Sequence, residues 1–306
     1  MARSMFEEIR GNKLRSWLIM SFFIFILIGL TILILSAISA IYGLGPGEFA
    51  FVIVIVCLVV VVYSLIGYYS GDNMILTMSG ARPVTKKEYP YLVNAVEGLV
   101  VAAGLKTVPK IYVINDSALN AFATGRDPEH SSITVTTGLL EKMNRQELEG
   151  VIAHEMSHIQ NYDIRMMMLS AVLVGAIVLI SDFMLRSFLW GNKSDREDRG
   201  SGIIIIIAIL SAILAPIFAQ LIKLAVSRGR EYLADANGAA LTRYPPGLAG
   251  ALEKIKNDPD PLVDNANRAT AHLFISNPFR KTTANFASLF STHPPIEERI
   301  KRLRAM

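Results

Sequence analysis

The chain has 306 residues and a formal net charge of +4; 52% of its residues are hydrophobic and its mean hydropathy is +0.41. That composition is too apolar for an ordinary soluble protein. A small positive charge near the ends of apolar segments suits lipid headgroups and argues against nucleic-acid binding, and the lone Cys57 excludes an internal disulfide.

From the N-terminus, Arg3, Arg10, Lys13 and Arg15 precede an uncharged stretch from Ser16 to Gly47, whose core from Trp17 to Tyr42 exceeds the ~20 residues that span a bilayer. Ala37-Ile38-Ser39-Ala40 faintly resembles a signal-peptidase site. The apolar region of a signal peptide runs to only about 7–15 residues, so this stretch reads as a retained transmembrane helix. Phe49 to Tyr69 is a second uncharged span, separated from the first by the turn from Gly43 to Glu48. Residues 1–15 thus form an N-terminal tail and 16–70 a first membrane hairpin, with Cys57 packed against lipid or a neighbouring helix.

Residues 71–165 read as a small α/β unit. Thr85-Lys86-Lys87-Glu88 has the pattern of a capping box opening a helix through Leu92, Val96 and Leu99 to Gly104. Strands are predicted over Lys110–Ile114, Leu119–Thr124 and Ser132–Thr137. Asn144, with Glu147 three residues on, predicts the start of a second helix, and Leu148, Val151, Ile152, Met156 and Ile159 give it a buried stripe. That helix carries His154-Glu155-Met156-Ser157-His158. Positions four apart share a helical face, so His154 and His158 can present their imidazoles to one Zn²⁺. Glu155 projects to the side, near enough to reach a water at the metal without ligating it.

A second membrane hairpin occupies 166–226, with spans from Met166 to about Trp190 and from Ile203 to about Val226. Asp182 and Arg186 near the outer end of the third span read either as a polar site at membrane depth or as an ion pair snorkelling to the interface beside Trp190. Pro216 predicts a kink in the fourth span. Basic residues concentrate before the first span, within 81–165 and after Lys223, which places both termini and the catalytic segments in the cytoplasm of a multi-pass plasma-membrane protein. Lys193, Arg196 and Arg199 in the 191–200 loop cut against this, although Asp195, Glu197 and Asp198 accompany them.

Residues 227–306 complete the soluble part. A catalytic zinc site needs a third protein ligand, and Glu231 is the best candidate. Asp235 follows four residues later, placed to accept the second N–H of His154. With Arg228 and Arg230, the same spacing also describes an ordinary charged helix face. The helix is predicted to run through Ala240 to a stop at Pro245-Pro246-Gly247, followed by a helix over 247–256, a loop at Asp258-Pro259-Asp260-Pro261 and a short basic helix from Glu297 to Arg304.

Several segments together resemble the HtpX-like membrane zinc endopeptidases, a gluzincin group that also holds the prenyl-protein (CAAX) endopeptidases. They are Asn120 to Gly125, Val135 to Leu140, Glu147 to His158, Arg230 to Asp235 and Thr292 to Ile300. The resemblance implies an α-helical membrane protein with four transmembrane helices in two hairpins and an α+β, minigluzincin-like catalytic domain. It also implies one Zn²⁺ per chain on His154, His158 and Glu231, with Glu155 as general base and Asp235 as supporting acid. The segment at Asn120, Ala121 and Phe122 would be an edge strand pairing with an extended substrate, and His293 and Arg299 would stand near the scissile carbonyl. Its substrates would be polypeptides, chiefly misfolded or damaged membrane proteins. A prenyl-peptide protease and a non-catalytic membrane scaffold with a structural metal are the rival classes. The oligomeric state is not legible.

Overall fold

The computed structural model describes residues 5–42, 45–175, 228–259, 273–275 and 294–306. In chain order the elements are α1 (Met5–Tyr42), α2 (Pro46–Met78), β1 (Arg82–Pro83), α3 (Pro90–Ala103), β2 (Lys110–Ile114), β3 (Ala121–Asp127), β4 (His130–Thr136), α4 (Thr137–Lys142) and α5 (Arg145–Gln160). They continue with α6 (163–175), α7 (Arg228–Thr242), α8 (Pro245–Asn257) and α9 (Ile296–Arg304).

α1 and α2 form an apolar pair, tied where Trp17 stacks on Tyr68 with ring centroids 6.0 Å apart. α2 is long and apolar enough to cross a bilayer. Phe25, Phe51, Val54, Leu58 and Val59 are all at least 59% exposed, a density of bare apolar surface that water does not tolerate on an ordinary monomer. Of the spans expected from the sequence, the third is described only to residue 175; its Asp182 and Arg186, and the whole fourth with Pro216, lie outside the described residues.

Two divisions drawn from the sequence fall inside helices. The division at 70/71 falls inside α2, which continues past Tyr69 to Met78. Gly67 and Gly71 explain this. They lie so close to α6 that added Cβ atoms would come within 2.7 and 3.0 Å of the Val172 side chain, so α2 stays helical against a packed neighbour and buries Ile75 and Leu76 beyond it. The division at 165/166 falls inside α6, whose first turns, with Ile164 and Met166 to Leu169, are buried in the protein.

The sheet has the order β1-β2-β4-β3, with β2 parallel to β4 and β3 antiparallel to it. β3 and β4 extend beyond their predicted limits into a hairpin, and the two-residue β1 is an addition to the predicted strands. The helix expected from Thr85 begins instead at Pro90. Thr85 and Glu88 do bond to each other, but as a separate turn, because a residue before proline is pushed out of the helical region and Tyr89 sits at φ −132°. Pro245 and Pro246, expected to stop a helix, open α8 at its first positions, where a missing N–H costs nothing.

α5 is the axis of the part built around the sheet. Its predicted capping box is present, with the Asn144 side chain accepting from the Glu147 N–H at 3.0 Å and Glu147 accepting from the Asn144 N–H at 2.8 Å. Val151, Ile152 and Met156 are fully buried in one core with α3, the sheet and α8; each such side chain contributes about 1.5–3 kcal/mol. Gly238 lets α7 close onto α5, since a Cβ there would lie 3.0 Å from the His154 backbone nitrogen. This contact, two helical turns from Glu231, brings Glu231 to the histidines.

Candidate metal centre

His154 and His158 project from α5 and Glu231 from α7, and all three are buried. One donor atom from each lies within 4.8 Å of the others. The two Nε2 atoms face each other at 3.2 Å. Glu231 Oε1 is 3.6 Å from His158 Nε2, and Oε2 is 3.9 Å from His154 Nε2.

The other ring nitrogens fix the tautomers. His154 Nδ1 lies 3.0 Å from Asp235 Oδ1, as the sequence suggested, and His158 Nδ1 lies 3.0 Å from Asp163 Oδ2, which it did not. A carboxylate cannot donate, so each Nδ1 carries the proton and each Nε2 presents a lone pair. With both imidazoles neutral, two lone pairs oppose each other beside a carboxylate, an arrangement relieved by a shared cation, whether a metal ion or a proton. Tetrahedral zinc at ordinary Zn–N lengths places its nitrogens roughly 3.3 Å apart, so the donor set fits that ion.

Without a metal, His158 takes up that proton. Burial acts to lower His158, but the Asp163 bond and the Glu231 charge outweigh it and raise its pKa to about 9. Burial lowers His154, and Arg299 beside it adds to the effect against Asp235. Glu155 is raised to about 7 by burial. Its carboxylate accepts from the Ala123 backbone N–H, while Oε2 has no hydrogen-bond partner among the described residues.

The pH dependence has opposed contributions below about pH 6.5 and a single sign above it, because the lowered His154 acts in the opposite sense only up to its unfolded value. In metal-free protein His158 and Glu155 both hold a proton more tightly folded than unfolded, so their contributions are complete at low pH. That of Glu155 is lost as pH rises from 4.5 through about 7 and that of His158 from 6.5 through about 9. Metal-stripped protein should therefore melt at progressively lower temperature as pH rises from about 6.5 to about 9, read by scanning calorimetry. A midpoint that rose instead would contradict the geometry.

Arg299 is fully buried, with Nη2 3.4 Å from His154 Nε2. Its Nε and Nη2 fork onto Asp235 at 2.8 and 2.7 Å, and Nη1 lies 3.4 Å from both the Ile275 carbonyl and Glu231 Oε2. Asp235 is held at about 2, where burial is overcome by Arg299 and His154. His293 lies outside the described residues.

β3 is an edge of the sheet, as expected for the Asn120 segment, but the side chains there turn inward. Asn120, Ala121 and Phe122 are buried. The Phe122 ring packs on Phe274 at 5.0 Å, and Asn120 bonds with Thr136 and the Ala121 N–H. On the outer edge the Ala121 carbonyl accepts from the Ile275 N–H at 2.9 Å.

Buried histidines and a glutamate around one point, with a second glutamate alongside, define a metallohydrolase centre. Residues 86–306 match Peptidase family M48. The chain is 49% identical over 301 residues to "Protease HtpX homolog" of Dictyoglomus thermophilum, covering 98% of this chain and 94% of that one. It is 44% identical over 302 residues to the protein of that name from Tropheryma whipplei, covering 99% and 98%. The crystal structure of S. mikatae Ste24p overlaps 90% of this chain and 62% of its own, with 20% identity and a TM-score of 0.46. The chain belongs to peptidase family M48 and is a metalloprotease.

Proposed function

We propose that this metalloprotease is an integral-membrane endopeptidase that holds one Zn²⁺ per chain on His154, His158 and Glu231 and cleaves polypeptides beside the cytoplasmic membrane surface. The convergence of three buried donor atoms within 4.8 Å carries this reading. Bound zinc supplies a Lewis acid that lowers the pKa of a coordinated water from 15.7 toward about 7.

The chain does the rest. Glu155, steadied on one side by the Ala123 N–H, takes the proton from the attacking water and returns it to the leaving amine. Asp235 and Asp163 keep the Nδ1 protons in place so that both Nε2 lone pairs point inward. Arg299 braces Asp235 and the Glu231-bearing helix, and His293 is the oxyanion stabiliser. An extended substrate pairs with the outer edge of β3 through backbone atoms alone, in competition with Ile275 for the Ala121 carbonyl.

Two hairpins of four spans, with both termini in the cytoplasm, place this site at the membrane. In support, α6 begins five residues after His158 and leads into the apolar run that continues beyond 175. A site there suits misfolded or damaged membrane proteins as substrates.

The test is metal content and casein cleavage on detergent-purified protein. His154→Ala, His158→Ala and Glu231→Ala should each lose the metal and the activity together, and a chelator should abolish cleavage until zinc is restored. Retention of stoichiometric zinc by Glu231→Ala would overturn the ligand set. A reconstituted enzyme that cut soluble peptides but never bilayer-embedded chains would overturn the substrate class.

A further inference from the structure

Asp163, the carboxylate behind His158, is held in turn by a residue from the far end of the chain. Asn12 on α1 donates from Nδ2 to Asp163 Oδ1 at 2.8 Å and to the Asn161 carbonyl at 2.9 Å. Both acceptors lack hydrogens to give, so the orientation of the amide is not ambiguous: the NH₂ must face them. Asn12 is 1% exposed, and its Oδ1 has no hydrogen-bond partner among the described residues.

An orphaned buried acceptor is unfavourable, and a leucine would fill this helix interface without it. The polar side chain at position 12 is therefore not the choice that packing alone favours. What it gains is contact with the turn that joins α5 to α6. Tyr162 in that turn has φ of +60°, a conformation uncommon outside glycine, and Lys13 lies 4.2 Å over its ring. Asp163 follows directly. Its Oδ1 meets Asn12 and, at 3.5 Å, Arg230 Nε, while its Oδ2 meets His158. Arg230 adjoins Glu231 on α7, so Asp163 joins three helices at the metal centre, and the α1 contribution is a directed hydrogen bond.

We propose that Asn12 is a positioning residue for the metal site. It fixes the rotamer of Asp163, which fixes the imidazole of His158, so the N-terminal helix must be docked for the metal to be held at full strength. This rests on the reading of His158 as a metal ligand. Residues behind a metal ligand change metal affinity by about 10–100-fold when removed, and a residue one bond further out should sit at the lower end, ~10-fold.

The experiment uses the full chain in lipid nanodiscs, with zinc affinity from chelator competition and the melting temperature of the zinc-free form. Asn12→Leu should hold zinc ~10-fold more weakly while melting no lower than the parent. Asn12→Asp, which sets a second carboxylate against Asp163, should be worse, and Asn12→Gln should recover most of the loss. Ile19→Ala, a buried packing change on the same helix, should lower the melting temperature and leave zinc affinity alone. Parent-like zinc affinity in both Asn12→Leu and Asn12→Asp would overturn the proposal, as would an equal loss in Ile19→Ala, which would make helix docking rather than the hydrogen bond responsible. His158→Ala separates the two readings. If it keeps zinc, the metal reading fails; if it loses zinc while the Asn12 variants keep it, only the role of Asn12 fails.

Discussion

Glu155→Gln should bind zinc as the parent does and cleave casein at least about 10²–10⁴-fold more slowly, the span that general-base catalysis contributes. The substitution keeps shape and volume. Its amide can preserve the oxygen that accepts from the Ala123 N–H, and Glu155 is not among the three donors that converge on the metal. What vanishes is the capacity to take a proton, at a position where burial keeps the carboxyl near neutrality, with a pKa of about 7. Zinc analysis beside the rate makes the result decisive. Parent-like cleavage would remove Glu155 from the reaction, whereas loss of zinc would show that it contributes to holding the metal.

Arg299→Ala should be the most damaging change away from the ligands. The guanidinium is bidentate on Asp235, and both groups are buried. Removing one partner of such a pair leaves the other charge uncompensated, at a cost of about 3–5 kcal/mol. Asp235 also orients His154, so zinc affinity should fall by about 10–100-fold. Arg299→Lys keeps the charge but not the fork, and should recover stability more fully than it recovers zinc binding. Both are read by calorimetry and chelator competition. An Arg299→Ala protein with parent-like stability and zinc affinity, but a raised KM, would return this residue to a role in substrate contact.

The parts of the site legible in the sequence are those set by local helical geometry. His154 and His158 need only a four-residue spacing, and the Asn144–Glu147 box needs only three. Glu231 stands out because Asp235 shares its face, but what brings it to the histidines is the close approach at Gly238, and no periodicity encodes which helix a glycine will meet. Asp163 is hidden because it lies past the end of α5, across a turn whose left-handed Tyr162 swings it back toward His158. The usable signal is an acid within a turn of the second histidine. Arg299 forks onto Asp235, across the fold from its own short helix; a charged residue on such a helix shows its sign in the sequence, but not its partner. The strand at 121–127 is legible from its β-type residues, while the inward turn of Phe122 and the partner at Ile275 depend on packing from distant segments. Asn12 is invisible, being separated from Asp163 by 151 positions.

X-ray absorption at the zinc edge, on the full-length protein and on Glu231→Ala, tests the three-ligand centre most directly. The expected parent spectrum shows one zinc per chain with two imidazole nitrogens, carboxylate oxygen and no sulfur, and the Glu231→Ala sample holds little or no zinc. A sulfur ligand, or an unchanged spectrum after loss of the Glu231 carboxylate, would contradict it.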